Sequence, residues 1–210
     1  IFVERKMNQG DLNIQKERDS NFYQLVKQQN ILFKDKKILD FGCGEGFVMD
    51  IYHRWGVESK CIFGADISKE RIRKGKLRFP EFTFIEIEKN LPFDNNIFSL
   101  IIIYTVFSSI KNDMKRTYWS SELNRVLKPG GSIFIYDMKV NNPFNKNIKS
   151  MKISELSSLF IKYKIQTKSL TVWPQLARLL FTNSYNFYKF LTCFKILHTH
   201  FTAVLTKPNK

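Results

Sequence analysis

The sequence predicts an α/β fold, a doubly wound Rossmann-like sheet of about seven strands, mostly parallel with the last strand antiparallel. Three observations carry this expectation. Apolar runs of strand length alternate with amphipathic stretches of helix length from residue 36 to residue 138, as parallel strands joined by crossover helices require. The run IFSLIIIYTVF over 97–107 is apolar at consecutive positions, as a central strand covered on both faces must be. Between the first strand and its helix stand three glycines, Gly42, Gly44 and Gly46.

Residues 12–33 place Leu12, Ile14, Phe22, Leu25, Val26 and Leu32 at roughly helical spacing, which predicts a helix ahead of the sheet and a lid over residues 1–35. KKILDF (36–41) reads as a short buried strand, FVMDIYHRW (47–55) as a helix and CIFGADI (61–67) as a second strand. SKERIRKGKLRF (68–79) is a helix capped by Ser68 and stopped by Pro80. FTFIEIE (82–88) and the 97–107 run supply two more strands, and NDMKRTYWSSELNRVL (112–127) a helix that KPGG turns into the strand GSIFIYDM (131–138). Past Lys139 come a short helix over 153–160 opened by Ser154 and a strand over 163–173. One or two aromatic-rich helices over 174–197 start at Pro174, and a last strand spans 198–207. The chain reads as one domain, 1–210, with a core over 36–138 and substrate-side elements over 139–210.

At 210 residues and 43% hydrophobic content the chain can bury one sizeable core. Cys43, Cys61 and Cys193 are scattered, which gives neither a disulfide framework nor zinc spacing and predicts a reducing, cytoplasmic setting. No His, Cys and acid cluster has metal spacing, so no metal is expected. No run of eighteen apolar residues occurs. The net charge is +15, and from Leu156 onward there are eight Lys or Arg and no Asp or Glu. Such a face attracts the phosphates of nucleic acid, anionic lipid or a phosphorylated substrate.

In an open parallel sheet, ligands sit beyond the carboxyl ends of the strands where strand order reverses. Gly42 and Gly44 there permit positive φ and close backbone approach to a ligand, and Gly46 permits close packing as the helix begins. Asp66 lies twenty residues after Gly46, at the end of the second strand, where a carboxylate accepts hydrogen bonds from two ribose hydroxyls. The alternative for Asp66 is a helix N-terminal charge beside Ser68. The spacing Gly42-Cys43-Gly44-Glu45-Gly46 is shorter than the dinucleotide pattern G-x-G-x-x-G, and Glu45 would sit poorly beside a pyrophosphate.

This loop, with LPFDNNIFSLIII (91–103) and ELNRVLKPGGSIFIYD (122–137), resembles the motifs of class I S-adenosylmethionine (SAM) dependent methyltransferases of the small-molecule type. The resemblance covers about residues 36–138. It implies S-adenosyl-L-methionine as cofactor, with Asp40, Phe41, Gly42, Cys43, Gly44 and Gly46 at its methionine end. Asp66 and Ile67 would follow at the ribose, Ile87 and Glu88 at the adenine, and Tyr104 facing the methyl group. Two positions depart from the family pattern. Ile87 stands where an acid binds the adenine amino group, leaving that part to Glu88 or to the backbone beside Lys89 and Asn90, and Ser99 replaces a second customary acid.

The tail resembles a narrower bacterial subgroup associated with surface-polysaccharide or lipid-linked sugar biosynthesis, through Asn142 and Pro143, Pro174 to Arg178, and Thr199 to Phe201. Tyr104 and His200 are the catalytic candidates, His200 as base or acceptor ligand. Asp137, ending the fifth strand, is a candidate acceptor ligand or a loop cap. His53 is expected at the surface, and Cys43 is expected to act through its backbone. The aromatics Trp173, Phe181, Tyr185, Phe187, Tyr188, Phe190 and Phe194 suit a core, an acceptor pocket or a contact with an anionic membrane. The expected function is methyl transfer to an oxygen or nitrogen of a small-molecule or lipid-linked acceptor. RNA methylation and non-catalytic binding are the alternatives, and nucleic acid is the less favoured partner.

Overall fold

The computed structural model describes residues 8–28, 36–141, 145, 147–180 and 185–209. The strands are β1 (Ile38–Phe41), β2 (Ile62–Asp66), β3 (Thr83–Glu86), β4 (Phe98–Tyr104), β5 (Leu127–Met138), β6 (Lys164–Val172) and β7 (His198–Thr206). They form one sheet in the order β3-β2-β1-β4-β5-β7-β6. β7 runs antiparallel to both β5 and β6, and the other pairings are parallel, as the sequence predicts. The order reverses between β1 and β4, which puts the switch point at the carboxyl ends of those two strands.

The helices are α1 (Gln9–Gln28), α2 (Phe47–Arg54), α3 (Lys69–Arg78), α4 (Asp113–Val126), α5 (Ile153–Leu159), α6 (Pro174–Leu180) and α7 (Tyr185–Leu191). Because strand side chains alternate, β4 feeds two cores. Ile101 and Ile103 pack with Leu123 and Val126 of α4 and Leu156 of α5. Leu100 and Ile102 pack with Phe22 of α1, Met49 and Tyr52 of α2 and Ile72 of α3. All four strand residues are fully buried, each worth about 1.5–3 kcal/mol of apolar transfer.

Charged side chains on α4 hold the neighbouring loops. Arg116 is fully buried and donates to the carbonyls of Ile110 and Lys149, both at 2.7 Å, and to Glu155 at 2.6 Å. Arg125 donates to the carbonyls of Phe93 and Leu91 at 2.7 and 2.9 Å, while Glu122 accepts from the Leu91 N–H at 2.9 Å. The ELNR part of the motif thus clamps the LPF segment.

Several boundaries differ from the sequence reading. α1 starts at Gln9 and turns Leu12 outward while burying Asn13, because it is Phe22 that meets the sheet. Val26 has no described side chain, and Leu32 lies outside the described residues. The KPGG segment is the start of β5 and not a free turn: Gly130 donates to the Lys207 carbonyl at 3.2 Å and Lys207 to that of Gly131 at 2.9 Å. Ser154 is not the cap of α5, which begins at Ile153 after Lys152 without a side-chain cap. Asn142, Pro143 and Phe181 lie outside the described residues. Ser68 does cap α3, accepting from the Arg71 N–H at 3.4 Å.

Candidate active site

At the switch point the glycine loop folds over β2, with the N–H groups of Gly42 and Cys43 donating to the Ala65 carbonyl at 2.7 and 3.2 Å. Two of its glycines are fixed by packing. A Cβ on Gly42 would meet Val106 at 2.3 Å, and one on Gly46 would meet Phe84 at 2.5 Å. Gly44 differs: its φ is +56° and a Cβ would find only Arg71, at 3.9 Å. The space a side chain would fill there is open, as the close approach of a ligand needs. The Cys43 thiol is buried, which pushes its pKa far up and leaves it inert.

Asp66 braces this loop, accepting from the Gly44 N–H at 2.9 Å and from the Ser68 N–H at 2.8 Å. Each of its oxygens keeps a second lone pair. Ile67 just beyond is 74% exposed, a flat apolar step at the strand end. Ile87 is buried and donates its N–H to the Asp66 carbonyl at 3.0 Å, whereas Glu86 and Glu88 are exposed. Glu88, Lys89 and Asn90 line a polar cleft of about 480 Å³ with Lys69 and Pro92. Strand alternation therefore continues to Ile87, and Glu88 and Asn90 offer the polar groups at this edge.

Asp40 is buried, and its Oδ2 has no hydrogen-bond partner among the described residues. Burial, then the Asp66 carboxylate, pushes its pKa up to about 7, with Arg18 opposing. A buried acceptor without a donor is uncommon in folded proteins and fits a cationic ligand group. The Asp40 Oδ2 without a donor among the described residues, the open space beside Gly44 and the ribose-spaced Asp66 thus suit the methionine and ribose parts of SAM.

Tyr104 ends β4 at the switch point, and with it three aromatic rings form a row across the sheet. Its centroid is 5.9 Å from that of Tyr136, which stacks on His200 at 4.9 Å and 5°. α1 covers the row: the Arg18 guanidinium lies 4.8 Å over Tyr104, and Phe22 packs edge-on against the same ring. His200 borders a cleft of about 530 Å³ with Met138, Trp173, Gln175, Ile196 and His198, and a second of about 330 Å³ with Asp11, Ile14 and Arg178. Gln175 Oε1 is buried without a partner among the described residues.

A polar network underlies the row. His200 Nδ1 meets Thr199 Oγ1 at 2.9 Å, and that hydroxyl reaches the Thr171 carbonyl at 3.4 Å. If Thr199 donates to Thr171, it accepts from Nδ1–H, and Nε2 is the nitrogen left for the clefts. Thr171 Oγ1 pairs with Tyr136 Oη at 2.8 Å, and its N–H donates to Glu17 of α1 at 3.1 Å. Thr171 and Thr105, the residue after Tyr104, have φ of +65° and +53°. Positive φ in a β-branched residue is strained, by about 1–3 kcal/mol, so the fold holds both ends of the row under tension.

Asp137 is not in this arrangement. It is fully buried, accepts from the Ser108 N–H at 3.2 Å and caps the loop after β4. His53 is exposed. Phe41 packs against Trp119 beneath the loop and not at its surface. Arg18, Tyr136, Gln175 and Thr171 escaped the sequence reading: the packing of α1 brings Arg18 to the row, the β4–β5 and β6–β7 pairings bring Tyr136 and Thr171, and α6 brings Gln175 to the cleft. No metal-binding cluster occurs among the described residues.

Residues 38–131 match the family described as a methyltransferase domain. That stretch, which holds the glycine loop, Asp66 and the KPGG segment, is similar to methyltransferase domains. The particular likenesses are to a ubiquinone/menaquinone biosynthesis C-methyltransferase, UbiE, of Campylobacter jejuni, 28% identical over 136 residues. That alignment covers 62% of this chain and 54% of the relative, so the chain spans about half the length of the curated relative. A demethylmenaquinone methyltransferase of Staphylococcus saprophyticus is 26% identical over 157 residues, covering 72% of this chain and 65% of that protein. A candidate sarcosine dimethylglycine methyltransferase from Galdieria sulphuraria superposes with a TM-score of 0.70 at 15% identity, over 92% of this chain and 86% of that one, which shows the shared fold.

Proposed function

We propose that the chain transfers a methyl group from SAM to a small, largely apolar acceptor bearing a ring hydroxyl, seated in the cleft beside His200. The observation that carries this reading is the row Tyr104, Tyr136, His200, which runs from the end of β4, the strand paired with that of Asp40, to an apolar cleft of about 530 Å³. SAM, when bound, supplies an electrophilic methyl group for in-line transfer. Asp40 would face its cationic end and Asp66 its ribose.

Burial depresses the His200 pKa to about 4, so the ring is neutral at physiological pH. It is too weak a base to take a hydroxyl proton outright. It orients the hydroxyl as an acceptor and enriches the oxygen, or a ring carbon conjugated to it, in electron density; the proton displaced by the methyl group would pass to water, with S-adenosylhomocysteine as the leaving product. Gln175 Oε1 is a second buried acceptor at the same cleft. The relatives named for ubiquinone and menaquinone biosynthesis support an apolar ring acceptor and make carbon as well as oxygen a reasonable methyl site.

Calorimetric titration with SAM, followed by transfer of isotopic methyl to hydroquinones with and without an alkyl chain, tests the reading. Binding and faster transfer to the alkylated ring are expected. No heat at millimolar SAM would overturn it.

A further inference from the structure

α7 has two differently committed faces. Tyr188 points inward, almost fully buried, and its hydroxyl donates to Glu17 at 2.6 Å. This anchor turns Phe187 and Phe190 outward, each at least half exposed. The chain continues through exposed Phe194 to Ile196, which is 92% exposed. The rings form one ridge, with centroids 6.3 Å apart from Phe187 to Phe190 and 5.4 Å from Phe190 to Phe194. Leu197 donates to the Phe194 carbonyl at 2.9 Å and accepts from the Trp173 N–H at 3.0 Å, fixing the ridge to the cleft rim, where Trp173 and Ile196 stand.

Exposed Lys189 and Lys195 interleave with these rings, and no acid occurs after Glu155. A contiguous apolar ridge with cationic flanks has the composition of a segment that lies in a lipid interface. Charge selects among occupants. A second copy of a chain carrying +15 would set like charges together, and a nucleic acid would answer the lysines but give Ile196 and the phenylalanines no apolar phase. No helix among the described residues is long and apolar enough to cross a membrane, so contact by this ridge would be peripheral.

We propose that the ridge from Phe187 to Ile196, with Trp173, docks on an anionic lipid bilayer and sets the mouth of the cleft against it. Delivery of an apolar acceptor from the lipid to the cleft rests on the functional reading above; the docking itself does not.

Flotation with vesicles of phosphatidylcholine alone, and of phosphatidylcholine mixed equally with phosphatidylglycerol, tests it. Binding to the mixed vesicles that weakens with salt is expected, with at least about tenfold less on neutral ones. Joint replacement Phe190→Ser and Phe194→Ser should lower partition by about tenfold or more. Lys189→Glu with Lys195→Glu should abolish the preference for anionic lipid. Met114→Ser, at an exposed site on α4, is the control expected to bind as the parent does. An unchanged melting temperature in each variant keeps unfolding from mimicking the result. Equal binding to both vesicle types, undiminished binding by the double Phe variant, or a dimer in sedimentation that this variant dissolves would overturn the proposal. Vesicle binding beside a failed SAM titration would sink the functional reading alone; SAM binding without vesicle partition would sink the docking alone.

Discussion

Replacing Asp40 by Asn removes a buried carboxylate from β1, beside the glycine loop where we propose that SAM binds, and leaves the shape nearly unchanged. Asp40 is 2% exposed, and burial followed by the Asp66 charge lifts its pKa from the usual 3.8 to about 7. At about 1.4 kcal/mol per tenfold change in protonation, keeping the carboxylate ionised inside the fold costs about 4 kcal/mol at alkaline pH. The folded state holds this proton more tightly than the unfolded state. The associated stability is therefore present at acidic pH and lost as pH climbs through the window from 3.8 to about 7. Asp40→Asn should flatten that decline and raise the melting temperature of the cofactor-free protein at about pH 8 by roughly 10 °C at most. A cationic ligand reverses the preference, because positive charge favours the carboxylate. SAM binding to the parent protein near pH 6.5 should then release up to about one proton, and affinity should rise from about pH 6 to pH 8. The assay is calorimetry in phosphate and in Tris, whose ionisation enthalpies differ. The variant should bind about tenfold more weakly or worse and release no proton. Identical heats in the two buffers, from a parent protein that binds, would refute the reasoning.

Asp66→Ala removes the proposed ribose acceptor together with the brace on Gly44, and SAM affinity measured by calorimetry should fall by about 1–3 kcal/mol. His200 has its pKa depressed to about 4, so its stability contribution is present above the unfolded value of 6.5 and lost as pH falls toward 4. This opposes the Asp40 trend over much of the same range; melting curves of His200→Gln should lose acid sensitivity while those of Asp40→Asn gain it. Turnover by His200→Gln should drop, while the parent's pH–rate profile shows no His200 ionisation at neutral pH. Thr171→Val keeps the branched side chain but strips Tyr136 of its partner, and chemical denaturation should find it about 1–3 kcal/mol less stable.

The parallel core was legible because its signals are local. Consecutive apolar residues in β4, the Ser68 cap and the acid at the end of β2 each follow from a short stretch of chain. Elements whose meaning depends on a distant partner were not. KPGG reads as a turn until Lys207 pairs with it, Leu12 and Asn13 exchange places once Phe22 docks, and Asp137 reads equally as an acceptor ligand or a loop cap until the Ser108 N–H is seen to donate to its carboxylate.

By itself the sequence determined the strand order's class, the glycine loop and the acids beside it, since backbone conformation and alternation are set by neighbours along the chain. Only the tertiary structure decided that Arg18 lies over Tyr104, that His200 stacks on Tyr136, and that Asp40 keeps an oxygen without a donor among the described residues. These are consequences of burial and of contacts between α1, β4, β5 and β7, whose energies arise only when segments far apart in the chain exclude water together.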